Sequence, residues 1–207
     1  MFLKHPARSA LFDFYQAKML ENAKKYIDFF YFYHYFLWTI FLKRKRFTFQ
    51  FVMKLKVLWP GRTRNREIRS LEEHYLNKIN QLGKCQLIQV KEAKGINEKF
   101  ASRIKEIEAL ELEKRLKDDY IICLFDRGKE MSSLEFARFL EKTASSSGRF
   151  ITFIVGGFLG LDERLLKRAD FLLSLSRMTF SHELSRAVLL EQIYRSLTII
   201  KGRHYAK

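Results

Sequence analysis

The stretch Tyr120–Phe125, YIICLF, is uncharged and almost wholly apolar. Such a run fits a strand buried on both faces of a parallel sheet, where the usual apolar and polar alternation is lost. Asp126-Arg127-Gly128-Lys129 reads as a turn behind it, and Ser132 or Ser133 is placed to cap a helix running to about Ala144. The unit then recurs. Phe150–Val155 is a second buried strand, closed by Gly156-Gly157. A short helix starts at Asp162, the strand Phe171–Leu175 follows, and Ser181 can cap a last helix reaching about Ile200.

The same rhythm extends upstream. Met53–Trp59 alternates like a strand, Pro60-Gly61 breaks it, and Ile68, Leu71, Tyr75, Leu76 and Ile79 fall at helical spacing. Cys85–Val90 is a further strand. A long charged helix is expected over about Asn97 to Lys117, with Phe100, Ile104, Ile107 and Leu110 on one face. Strands alternating with helices predict an α/β fold, a mainly parallel sheet with helices on both faces. No repeat or linker interrupts residues 53–207, which read as one domain.

Composition changes near residue 52. Residues 1–52 hold 17 of the 31 aromatic side chains, and the run Phe29–Leu42 is followed by Lys43-Arg44-Lys45-Arg46. A membrane-spanning helix needs roughly 20 mainly apolar residues; this run has 14, interrupted by polar tips and His34. It also lacks the compact core and cleavage site of a secretory signal. An interfacial anchor or a poorly structured extension would fit. We expect instead that translation starts at Met53, so that residues 1–52 are an aromatic and basic extension outside the natural domain.

The net charge is +16, and residues 53–207 keep 30 of the 39 basic and 20 of the 23 acidic side chains. An excess of this size favours polyanionic partners. Cys85 and Cys123 sit inside apolar runs, as reduced core thiols of a cytoplasmic protein would. The five histidines are scattered, so no metal site is expected.

Ligands of open α/β sheets gather beyond the carboxyl ends of the strands. Three loops fall there: Phe125-Asp126-Arg127-Gly128-Lys129, Gly156-Gly157-Phe158-Leu159-Gly160, and Leu175 through His182. None is a GxGxxG or GxxxxGK[ST] phosphate loop, which leaves a dinucleotide or ATP site unsupported. Taken singly, Gly156-Gly157 is also consistent with an ordinary turn, His182 with a capping-region residue, and Arg177 and Arg186 with solvated charges.

Together the loops carry more. Gly61-Arg62-Thr63-Arg64, Leu124 through Ser133, Phe153 through Gly157, and Leu173 through Phe180 lie in one order, followed by His182, Arg186 and Leu190 through Arg195. In this order and spacing, residues 53–207 resemble the RlmH ribosomal RNA methyltransferases of the SPOUT class. The resemblance implies a trefoil knot near the C-terminus and S-adenosyl-L-methionine as methyl donor. It further implies methylation at N3 of a pseudouridine in 23S rRNA of assembled ribosomes, with no metal. Cofactor contacts carry over to Leu124, Gly156, Leu175, Ser176, Arg177, Met178, Thr179 and Phe180. Arg186 is a candidate for stabilising the anionic base, and His182 for accepting a proton or touching RNA. His204, Tyr205 and Lys207 are candidate RNA contacts. The implied assembly is a homodimer bound to 23S rRNA in the ribosome, with no membrane role for residues 53–207. Two departures stand out. The family commonly ends in Tyr-His and a basic residue, where this chain has His204-Tyr205-Ala206-Lys207; and Phe158 replaces a small residue or proline. Another SPOUT RNA methyltransferase, or a non-catalytic ribosome-binding protein of the same fold, is the alternative expectation.

Overall fold

The computed structural model describes residues 53–203. The segment 1–52 and the residues His204, Tyr205 and Lys207, for which expectations were stated, lie outside the described residues. Five strands form the sheet: β1 (Lys54–Pro60), β2 (Lys84–Val90), β3 (Tyr120–Glu130), β4 (Ile151–Ile154) and β5 (Phe171–Ser174). Their order is β2-β1-β4-β3-β5, and every pairing is parallel. Parallel neighbours need crossovers. These are helices α1 (Arg66–Leu82), α2 (Ala101–Glu113), α3 (Ser133–Ser147) and α4 (Glu163–Arg168), and α5 (His182–Ile200) closes the described chain.

The helices cover both faces, as expected. On one side Leu55, Val57, Trp59 and Phe153 of the sheet pack with Ile79 of α1, Phe136 and Leu140 of α3, and Leu190 and Ile193 of α5. On the other, Leu58, Ile121, Cys123 and Ile154 meet Ala109 and Leu112 of α2 and Leu165 of α4. Strands β1 and β4 are thus buried on both faces, with apolar residues on each, although Lys54 and Lys56 interrupt β1 and Thr152 interrupts β4. Burial pushes the Cys85 and Cys123 thiols up to about 12, so both are inert apolar groups. The polar exceptions in these strands satisfy one another. The Lys56 ammonium donates to both oxygens of Asp119, at 3.1 and 2.9 Å, and the Thr152 hydroxyl donates to the same carboxylate at 3.0 Å.

Helix starts follow their caps. Asn65 accepts from the Ile68 amide at 2.9 Å, Ser132 and Glu135 form a capping box, and Ser181 accepts from Leu184. Two expectations about buried faces need correction. In α2 the buried positions are Ile104, Glu108, Ala109 and Leu112, while Phe100 and Leu110 are exposed. The i, i+4 row from Ile104 to Leu112 faces the sheet, and an i+3 path through Ile107 and Leu110 leaves that stripe. The helix is also shorter than expected, because Asn97 caps a separate 3-10 turn, Glu98–Phe100. In α1, Leu71 is exposed and Glu72 is buried in its stead.

The third correction concerns the expected turn at Asp126–Lys129. Strand β3 continues to Glu130, and its register with β5 shifts: Leu173 partners both Leu124 and Lys129. Residues 125–128 therefore arch away from the ladder while β5 bonds to both of the arch's feet. A Cβ on Gly128 would lie 2.7 to 2.8 Å from backbone atoms of Leu172 and Leu173. Only glycine allows this approach. Gly128→Ala is expected to cost roughly 1–3 kcal/mol, as overpacking against an unyielding backbone does; urea denaturation of the two proteins measures it, and an unchanged midpoint would contradict the close approach.

Candidate active site

A cavity of about 450 Å³ opens beside Leu124–Asp126, where β3 leaves the ladder, and beyond the carboxyl ends of β4 and β5. It is walled by all three glycine-bearing or serine-bearing loops. Of the residues expected to hold a cofactor, Leu124, Gly156, Leu175, Ser176, Met178, Thr179 and Phe180 line it, as does His182. Arg177 is not among its walls. Its side chain is exposed and its Nε donates to Glu130 Oε2 at 3.2 Å.

The loops hold their shapes through short-range bonds. The Ser174 hydroxyl donates to the Ser176 carbonyl at 3.0 Å, and the Met178 amide donates to Ser176 Oγ at 3.0 Å. The glycine loop folds back on itself, with the Gly160 amide donating to the Gly157 carbonyl at 3.0 Å. A Cβ on Gly156 would fall 2.7 Å from the Gly160 carbonyl carbon. That cradle is closed to side chains at its narrowest point, which leaves backbone groups on the cavity wall.

A second cavity, about 610 Å³, lies alongside. Both volumes fall within the roughly 300–1,000 Å³ usual for small-molecule sites. The two share Gly157, Phe158, Leu159 and His182 as a common wall. Phe158 is 71% exposed, and its ring meets the His182 ring edge to face at 6.4 Å. Burial, and then the charge of Arg186, push the His182 imidazole below its ordinary value. Its neutral form, with one nitrogen free to accept a proton, is therefore favoured.

Arg186 is no solvated charge; it is 1% exposed. One of its terminal nitrogens donates to the Thr63 hydroxyl at 3.0 Å, and the other to the Pro60 carbonyl at 2.7 Å. The Thr63 hydroxyl in turn donates to the buried Glu72 carboxylate, 2.7 Å away. The guanidinium stacks 4.9 Å from the centre of the Trp59 ring. Thus a charge on α5 and a charge on α1 are neutralised through a threonine on the loop after β1. The structure brings Arg186 and His182 together on the second cavity, where both contribute to the wall.

Two carboxylates escaped the sequence reading, Glu72 and Glu108. Each is almost fully buried, and burial pushes each above the usual carboxylate range. Glu108 lines the second cavity, and its Oε1 accepts from the Ala93 amide at 3.4 Å. The spacing Ile104, Glu108, Leu112 carried a usable signal: a glutamate midway along a buried i, i+4 row. Gly157 makes room for it, since a Cβ there would lie 2.6 Å from Glu108 Oε2.

A family model described as "Predicted SPOUT methyltransferase" matches residues 53–206. The chain is 39% identical over 152 residues to a protein of Thermodesulfovibrio yellowstonii called Ribosomal RNA large subunit methyltransferase H, covering 73% of this chain and 97% of that protein. A protein of the same name in Acetivibrio thermocellus is 37% identical over 157 residues, covering 74% of this chain and 99% of that one.

Two measurements test the buried charges. Arg186→Met is expected to cost roughly 3–5 kcal/mol, because it strands Glu72 without its countercharge. Adding Glu72→Leu should restore part of that loss, and strictly additive costs in the double variant would disprove the coupling. For Glu108 the folded-state carboxyl titrates above its unfolded value, so its contribution favours the fold below about 4.5 and is lost as pH rises through the folded value. Glu108→Gln should therefore gain stability over the parent at pH 7, and this gain should vanish at pH 4. Denaturation at the two pH values reads it out, and an equal difference at both would contradict the assignment.

Proposed function

The chain belongs to the SPOUT methyltransferase family, and on that premise we propose that it methylates large-subunit ribosomal RNA with S-adenosyl-L-methionine as donor. The observation that carries the reading is the first cavity, where the three segments bearing the family motifs converge, at the arch of β3 and the carboxyl ends of β4 and β5. The proposed target is N3 of a pseudouridine in 23S rRNA of the assembled ribosome. The net basic charge supports an RNA backbone partner, whose binding falls steeply with added salt.

The first cavity fits this cofactor in size and in lining. The side-chain-free cradle at Gly156 lets backbone donors and acceptors face an adenosine edge, while Leu124, Leu175 and Phe180 supply apolar surface for the purine. Ser176, Met178 and Thr179 complete the proposed cofactor set; Arg177, expected there too, instead pairs with Glu130. When bound, the cofactor supplies an electrophilic methyl group. The chain supplies orientation and control of the proton. An imide nitrogen attacks well only after losing its proton, and neutral His182 is suited to accept it. Arg186 is committed to Pro60 and Thr63, so its proposed role is to bias the local field toward an anionic base while anchoring the loop.

The proposed domain is 53–207, assembled as a homodimer in the cytoplasm, with His204, Tyr205 and Lys207 reaching the RNA. The knot belongs to the same reading and is supported by β5 bonding to both feet of the 125–128 arch. Among the described residues no helix is long and apolar enough to cross a membrane. Calorimetry should give one S-adenosyl-L-methionine site per chain, and nucleoside mapping of ribosomal RNA from cells lacking the protein should show loss of N3-methylpseudouridine. Cofactor binding without any change in that nucleoside would redirect the proposal to another RNA; absence of binding would favour a ribosome-binding protein without activity.

A further inference from the structure

From the loop after β1 into α1 the chain reads Arg62-Thr63-Arg64-Asn65-Arg66-Glu67-Ile68-Arg69, and all four arginines are exposed. Many cations elsewhere sit beside an acid: Lys56 with Asp119, Arg149 with Asp118, Lys167 with Glu163, Arg195 with Glu191. Here the pairing is thin. Arg64 reaches Glu92 only at 3.6 Å, and Arg69 donates to the Arg64 carbonyl at 3.4 Å. Neither Arg62 nor Arg66 has a hydrogen-bond or ion-pair partner among the described residues. The placement also opposes the helix. Asn65 caps α1, Arg66 opens it, Arg69 follows one turn on, and the last turn carries no basic residue. The N-terminal end of a helix dipole disfavours cations, and like charges three residues apart repel. Glu67 and the buried Glu72 offset this only in part. An anion from outside the fold would offset the rest.

The segment is firmly held. Glu183 accepts the amides of Arg64 and Asn65, and the Thr63 hydroxyl accepts from Arg186 while donating to Glu72. Glu183 and Arg186 belong to the first two turns of α5, which His182 opens. The arginine segment is therefore tied to the wall between the two cavities. A guanidinium is a planar fork that matches two phosphate oxygens at once. Four of them on one short segment suit a chain of phosphates better than a single small anion. Phosphate contacts of this kind fix register and orientation without reading sequence. We propose that Arg62, Arg64, Arg66 and Arg69 clamp the RNA backbone across the start of α1 and so position the strand against the wall carrying His182. They are positioning residues and take no part in the methyl transfer. The inference rests on the reading of RNA as substrate, yet the two fail in different ways.

The test measures binding of the full chain to ribosomes from cells lacking the protein, at several salt concentrations between about 50 and 200 mM. Two variants each lose two positive charges. One is Arg66→Gln with Arg69→Gln, at the clamp. The other is Lys84→Gln with Lys142→Gln, a control at exposed positions opening β2 and toward the end of α3, neither on the second cavity. Thermal unfolding reports that each is folded. The clamp variant should bind at least about tenfold more weakly, and its slope of log K against log salt should be shallower by about 2. The control should match the parent. Arg66→Lys with Arg69→Lys should keep most of the slope and recover part of the affinity, because the charge stays while the fork is lost. A merely structural role would weaken binding without flattening the slope. That result, undiminished binding by the clamp variant, or an equal loss in the control would overturn the proposal. So would binding to phosphatidylglycerol vesicles that depends equally on Arg66 and Arg69, which would give the patch to a membrane surface. Arginine-dependent ribosome binding with no N3-methylpseudouridine formed would instead count against the proposed function alone.

Discussion

The guanidinium of Arg186 holds the site end of this molecule together. A fully buried cation is costly to remove from water by several kcal/mol, and it persists only where hydrogen bonds and a countercharge offset that cost. Here the compensation comes from three places in the chain: the end of β1, the loop that follows it, and the middle of α1. Because Arg186 lies one turn into α5, satisfying it fixes the start of that helix, and with it His182. The position of the wall between the two cavities follows from one buried charge. Its Nε, buried without a partner among the described residues, is a residual cost of serving three elements with one side chain.

Glycine placement provides the complementary constraint. Gly128 lets the 125–128 arch lie against β5, Gly156 lets its loop close on Gly160, and Gly157 leaves room for a buried carboxylate. In none of these is a positive φ the reason; all three are extended or ordinary backbone where the space for a methyl group is already occupied. The site is thus shaped by the exclusion of side chains at three close contacts as much as by the side chains present.

The fold was legible because its strands declare themselves. Short runs such as Ile151–Ile154 are buried on both faces, and the caps Asn65, Ser132 and Ser181 mark helix starts through local bonds. The loops of the first cavity were legible for a related reason, since they follow directly on those strands. What resisted reading was decided by distant partners. Glu72 is inside because Thr63 and Arg186 receive it there, across separations that no local pattern reports. Glu108 looks like one more charge on a charged helix until the sheet beneath it is known. The arch after Leu124 resembles a turn in sequence, and its continuation as strand depends on β5, which lies some fifty residues later.

The placement of α5 has a bearing on how the protein comes into being. This helix packs against α1 and α3 and covers the sheet face carrying Leu55, Val57 and Phe153. A ribosome delivers the chain from its amino end, so all five strands and the first four helices emerge while that face still lacks part of its cover. His182 and Arg186 arrive with the cover itself. The wall between the two cavities is therefore complete only once the core is sealed, and an incomplete chain exposes apolar surface to chaperones.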